Sequence, residues 1–251
     1  MAETAIFGAG GYRYVRGPFQ YSGGVAAEPG YAIERVRFAK PPPMEQGFDA
    51  IEAHITALGR PMTALCACEL RSPAPFTEAG FVAFNWVYVG TLERWGLFKN
   101  GENPVARSNV CPAITPPKVP SFEAFSYTVP AGDSAAGPSF VVSGAAESPE
   151  ELGSYEERII RLGETTADAM LDKARFVLTA METRMAALSV GWLDATATQV
   201  YTVHDIHPFL AAEIITRGAA PAGLTWYYAR PPVERLEYEM DLRGVSLERV
   251  V

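Results

Sequence analysis

The residues best suited to chemistry stand between Asn103 and Pro130, in the run NPVARSNVCPAITPPKVPSFEAFSYTVP. Arg107 occupies a place in a short apolar segment where a core strand would carry a valine. A guanidinium held by a rigid scaffold is a two-pronged receptor for a carboxylate. Glu123 follows in the next segment, where a carboxylate can hold a water or move a proton. The other reading of Arg107 is structural, tied to a carboxylate or to carbonyls at an interface. If Ala106–Ala113 is a strand, alternation sets Arg107, Asn109 and Cys111 on one face, with Ser108 between them. Cys111 then either fills the core or presents a thiol to a pocket. Two consecutive prolines, Pro116 and Pro117, remove two ladder donors and force a turn. Ser121–Val129 resumes with strand-forming Phe, Tyr, Thr and Val. The expectation is a hairpin that brings Arg107 and Glu123 to one region.

The pattern Pro104-x-Ala106-Arg107-Ser108-x-Val110, then a proline turn and a Glu-bearing strand, resembles the reactive-intermediate deaminase family, RidA or YjgF. Gly17-Pro18-Phe19 resembles that family's G-P-Y loop, with Phe19 in the tyrosine's place and Tyr21 as the nearby hydroxyl. Phe81 and Asn85 resemble the F-x-x-x-N of its second helix, and Ser139–Ala145 its S-G-Q strand. The resemblance implies that Arg107 grips a substrate carboxylate and that Glu123 helps position the attacking water. Phe19, Tyr21, Asn85, Ser108, Asn109 and Cys111 become the substrate-binding candidates. It implies no metal or organic cofactor, and a homotrimer with pockets between subunits.

Composition narrows the classes. The chain has 251 residues, 48% of them hydrophobic, enough for one large domain or two small ones. A net charge of -8 repels phosphate backbones and disfavours nucleic acid as a partner. No window approaches eighteen uninterrupted apolar residues, so no membrane span is expected. Three cysteines and no secretory pattern at the start fit a reducing cytoplasm. Cys66 and Cys68 alternate on one expected strand face, as core filling rather than metal ligands. His204, Asp205 and His207 read as a solvated turn. His54 reads as a surface or satisfied residue. The acidic run Glu147–Glu157, with Arg158 and Arg161 following, reads as a solvated helical face.

The elements around these residues fall into two similar series. The Gly-rich start, residues 1–13, reads as a flexible lead-in, because a dinucleotide fingerprint would need a preceding strand and a following helix. Tyr14–Ala27 and Tyr31–Ala39 read as strands around Glu28-Pro29-Gly30. Phe48, Ile51, Ile55 and Leu58 recur at helical spacing in Gln46–Leu58. A strand at Met62–Leu70 and a Thr77-capped helix to about Phe98 follow. Residues 129–138 read as a linker. Beyond it come a strand at Ser139–Ala145, a helix at Thr165–Leu188, a strand at Asp194–Val203, a short helix at Phe209–Arg217 and a closing hairpin ending at Leu242. The expected fold is α/β (α+β): two tandem domains, 1–130 and 139–251, each a β-sheet with two helices on one face. The resemblance makes these domains chorismate-mutase-like, that is, YjgF-like. The second copy lacks the arginine, with Ala222-Gly223-Leu224 aligned to Ala106-Arg107-Ser108.

The function expected is hydrolytic deamination of a carboxylate-bearing enamine or imine, an aminomuconate-like intermediate among the possibilities, giving a 2-oxo acid and ammonia. Two alternatives are a non-catalytic protein binding a small carboxylate, and another hydrolase of a cyclic or aromatic acid.

Overall fold

The computed structural model describes residues 2–132, 137–150, 153–245 and 247–251. In chain order the strands and main helices are β1 (Thr4–Phe7), β2 (Tyr12–Val15), β3 (Gly24–Ala27), β4 (Tyr31–Arg37), α1 (Met44–Ala57), β5 (Leu65–Arg71), α2 (Glu78–Arg94), β6 (Ala106–Pro112) and β7 (Ser121–Pro130). Then come β8 (Phe140–Ala146), α3 (Tyr155–Arg158), α4 (Ala167–Ala187), β9 (Ala197–Tyr201), α5 (His207–Phe209), β10 (Thr225–Tyr227), β11 (Ala229–Arg230), β12 (Glu239–Gly244) and β13 (Leu247–Val250). The class is mixed α/β. One sheet has seven strands in the order β1-β2-β3-β8-β12-β9-β10, the other six in the order β11-β6-β5-β7-β4-β13.

Periodicity decides which face each helix buries. Phe48, Ile51 and Ile55 of α1 are buried against the six-stranded sheet beside Phe81, Phe84, Tyr88 and Leu92 of α2. Thr77 caps α2, its Oγ1 accepting from Gly80 N at 3.1 Å. Met170, Ala174, Val177, Leu178, Met181 and Met185 of α4 are buried under the seven-stranded sheet. The two sheets turn their other faces to one another. Part of that middle layer is apolar, with Tyr12, Val25, Ile33, Ala106 and Val141. The rest is charged: Arg35 spans to Glu69 at 2.6 and 2.7 Å across the small side chains of the intervening β7, Ala124 and Ser126.

Connectivity repeats. In one sheet β5 lies between parallel β6 and antiparallel β7; in the other β9 lies between parallel β10 and antiparallel β12. The helix ends correspond too, since Gly59 and Ser189 both have positive φ after Leu58 and Leu188. Strand exchange crosses the expected boundary between residues 130 and 139. β3 pairs with β8, β11 with β6, and β13 with β4.

Several expectations need correction. β6 and β7 form no hairpin, because β5 is inserted between them. β10 and β12 are likewise separated by β9. The Gly-rich start is not a flexible lead-in: β1 and β2 pair, and Phe7–Gly11 makes their turn with Gly10 N donating to Phe7 O at 2.9 Å. Gly11, at φ 72, lies against Tyr31, where an added Cβ would come within 2.7 Å of the ring. A register step near Cys66 places it in the inter-sheet layer, while Cys68 joins the helix-side core, so the two share no face. Parts of the expected linker and acidic run, residues 133–136 and 151–152, lie outside the described residues.

Candidate active site

A cleft of about 530 Å³ opens between α2 and β6 on one side and α4, β12 and the segment after β8 on the other. That is the size of a small-molecule site. β6 carries Arg107 to its wall. The strand is pinned there: Arg107 N donates to Ser143 Oγ at 3.0 Å, and that hydroxyl donates to Ser22 O at 2.6 Å. The Arg107 side chain is 3% exposed and is ringed by aromatics, Tyr88 at 4.9 Å, Tyr21 at 5.1 Å, Phe81 at 5.7 Å and Phe84 at 5.9 Å. No carboxylate among the described residues forms an ion pair with it, and Nη1 is buried with no hydrogen-bond partner. Burial lowers its hold on its proton, against the raising influence of Tyr88, Tyr21 and Cys68.

More polar atoms in this cleft are unpaired. Asn85 is 1% exposed, and neither its Oδ1 nor its Nδ2 has a partner. Asn109 Oδ1 accepts from Ser72 Oγ at 3.0 Å, but its Nδ2 is unpaired. Buried polar groups are nearly always satisfied, and each exception costs about 1–3 kcal/mol. Four such atoms, from Arg107, Asn85 and Asn109, belong to residues lining one cleft. They comprise donors from Arg107, Asn85 and Asn109 and an acceptor from Asn85, the kinds of group that a ligand with an anionic and a polar end would satisfy.

The opposite wall is cationic but already engaged. Arg184 donates to Ser143 O and Gly144 O at 2.9 and 3.2 Å, and to Glu150 at 2.8 Å. Tyr21 OH reaches the same Glu150 oxygen at 3.4 Å, so Tyr21 links the Arg107 side of the cleft to the Arg184 side. Arg158 lies over Tyr155 at 4.7 Å and donates to Ser154 O and Pro149 O. Glu239, at the start of β12, is 3% exposed and also lines the cleft. Burial first, then the Asp241 charge, push its carboxyl well above the usual carboxylate range, while Arg107 and Arg71 pull the other way.

Arg107, Tyr21, Asn85 and Asn109 thus come together at one site. The other candidates do not line it. Glu123 stands where the β5–β7 register steps, its carboxylate 4.0 Å from exposed Arg37. Phe19 stacks on Trp86 at 4.4 Å. Ser108, next along the strand, belongs to a small neighbouring cavity with Asp241 and Arg243. Cys111 is buried beside Arg230 in the β6–β11 register, and burial pushes its thiol up to about 12. His204 Nε2 lies 2.8 Å from Glu237 and His54 Nε2 3.1 Å from the Tyr127 hydroxyl. The sequence reading passed over Glu239, Arg184 and Glu150. A signal for Glu239 was present in Glu237-Tyr238-Glu239-Met240-Asp241-Leu242-Arg243, strict alternation that reads as a solvated face. A second sheet covers that face, so its charges are interior.

The family model described as 2-aminomuconate deaminase CnbZ matches residues 4–249. A curated relative, 2-amino-5-chloromuconate deaminase of Comamonas testosteroni, is 49% identical over 251 residues, covering 100% of both chains. The chain belongs to the CnbZ family. Among solved structures, a chorismatase aligns with TM-score 0.45 and 13% identity over 89% of this chain and 77% of that one. The family match and the curated relative overturn the resemblance to RidA or YjgF, which is a different family. The shared Ala-Arg-Ser stretch is too short to define a lineage. With that resemblance goes the support it gave for YjgF-like tandem domains and for a trimer.

Proposed function

We propose that the protein is a hydrolytic deaminase of aminomuconate-type enamino dicarboxylates, releasing ammonia and a 2-oxo acid. The observation that carries this reading is the convergence of unpaired buried atoms of Arg107, Asn85 and Asn109 on one cleft. The family description and the relative's name support the substrate class. Arg107 receives the carboxylate beside the amino-bearing carbon, as a two-pronged donor in a dry, aromatic-lined place. Asn85 and Asn109 supply polar contacts to the amino group and to the added water. The flat conjugated chain lies along Tyr21 and Phe81, with its far end toward the side of the cleft that Arg184 and Glu150 form. Water adds to the carbon of the imine tautomer and ammonia leaves, so positioning and charge provide most of the acceleration. The repeated connectivity also supports reading the chain as two fused units, 1–130 and 139–251, only the first of which retains the arginine.

The test is to incubate the purified protein with 2-aminomuconate and follow ammonia and the 2-oxo product. Ammonia release well above the spontaneous rate, saturating with substrate, is expected. Tight binding of the dicarboxylate with no rate enhancement would make the protein a binding module instead.

A further inference from the structure

An enamine cannot be hydrolysed until a carbon of its conjugated chain is protonated, because water adds to C=N and not to the electron-rich C=C. The reaction therefore needs a proton donor inside the cleft and, after that donation, a base for the water. Arg107 cannot serve, since a guanidinium does not give up its proton in proteins. Asn85 and Asn109 are amides. Tyr21 and Tyr155 also line the cleft, and burial raises both phenols above the ordinary tyrosine value, which makes them poorer acids. Glu150 is held by Arg184 at 2.8 Å and Arg158 holds backbone carbonyls.

We propose that Glu239 is the catalytic acid and base of this site, a role that rests on the deaminase reading above. Its carboxyl is buried at the start of β12, lines the same cleft as Arg107, and has no hydrogen-bond partner among the described residues that would occupy its proton. Gly144 makes room for it: a Cβ there would stand 2.1 Å from Glu239 Oε1. Burial first, and then the Asp241 charge, raise its carboxyl well above the usual carboxylate range, the direction a general acid requires.

The steps balance. The Glu239 carboxyl gives its proton to a carbon of the enamine chain. The C=C pair forms that C–H bond, and the nitrogen lone pair closes the C=N bond of the iminium. Water then adds to the iminium carbon and yields a proton to the Glu239 carboxylate, leaving a neutral carbinolamine. Glu239 passes that proton to nitrogen, the C–N bond breaks, ammonia departs, and the hydroxyl proton returns to Glu239 as the C=O forms. The sum is enamine plus water giving a 2-oxo acid plus ammonia, with Glu239 protonated at both ends.

The charged and titratable groups around Glu239 are Asp241 on its own strand, Arg107 on β6, Arg71 on β5, Glu147 after β8, Tyr155 on α3 and Cys111 on β6. The experiment measures kcat, KM and their pH dependence for wild type, Glu239→Gln and Gly144→Ala on 2-aminomuconate. Glu239→Gln should lower kcat by roughly 10²- to 10⁴-fold, with KM within a few-fold. The wild-type kcat should fall as pH rises through the Glu239 ionisation, and the residual activity of Glu239→Gln should lack that limb. Gly144→Ala, which keeps the carboxyl but displaces it, should lower kcat at least about tenfold, and it guards against misfolding of the first variant. Wild-type deamination matched by both variants would overturn the role of Glu239 and leave the deaminase reading standing. A wild-type protein that releases no ammonia would overturn both.

Discussion

Arg107 and Arg35 are equally buried, at 3% exposure each, in strands of the same sheet, yet their surroundings are opposite. Arg35 grips Glu69 with two prongs, at 2.6 and 2.7 Å, and reaches Glu248 at 3.3 Å. Burial works against its charge, but Glu69 outweighs burial and raises its proton affinity. Glu69 answers in kind: burial pushes its carboxyl up, and Arg35 overcomes this and holds it at about 2. Arg107 has aromatic faces where Arg35 has a carboxylate, and burial prevails over its neighbours. A buried arginine with its partner in place serves the fold. One whose partner is missing carries a desolvation penalty that a ligand carboxylate can relieve.

Substitutions should separate the two arginines. Arg35→Ala takes both hydrogen-bonding prongs from buried Glu69, leaving it only the charges of Arg243 and Arg71 nearby, and is expected to cost about 3–5 kcal/mol of stability, read by denaturant unfolding. Arg107→Lys keeps a charge but loses the fork, so kcat/KM should drop about 30-fold or more while the unfolding midpoint stays within about 1 kcal/mol of wild type. The Glu69 pair also has a pH signature. Its carboxyl is depressed in the folded state, so its contribution is present above about 4.5 and lost as pH falls towards about 2. Melting curves across that window should converge for wild type and Glu69→Gln as the pH drops. Asn85→Leu removes unpaired polar atoms from the cleft and should lower kcat/KM about tenfold without lowering the melting temperature. Smallest of all, Glu123→Gln should leave kcat and KM within about twofold, because Glu123 does not line the cleft. A large loss there would restore Glu123 to the mechanism and move the site.

Local signals in the sequence were readable where one element decides the outcome. The helical spacing of Phe48, Ile51 and Ile55, the Thr77 cap and the strand at Arg107 all follow from short-range chemistry. Arg107 stood out by its own type in an apolar segment and Asn109 by strand alternation with it, whereas Tyr21 and Asn85 entered only through the overturned resemblance; the fold brings all four to one cleft. What sequence spacing could not convey is which strands become neighbours. The insertion of β5 between β6 and β7 parted Glu123 from Arg107. The stacking of a second sheet turned the alternating charges of β12 into an interior layer and brought Glu239 to the cleft.

The most direct measurement pairs ammonia release from 2-aminomuconate with thermal melting for wild type and Arg107→Met. If the missing partner of Arg107 is the substrate carboxylate, the variant should lose roughly 30-fold to several-thousand-fold in kcat/KM and melt at the same temperature or higher, because an unpaired buried charge has been removed. A variant that melts well below wild type while retaining its turnover per folded molecule would make Arg107 a structural residue and contradict the account.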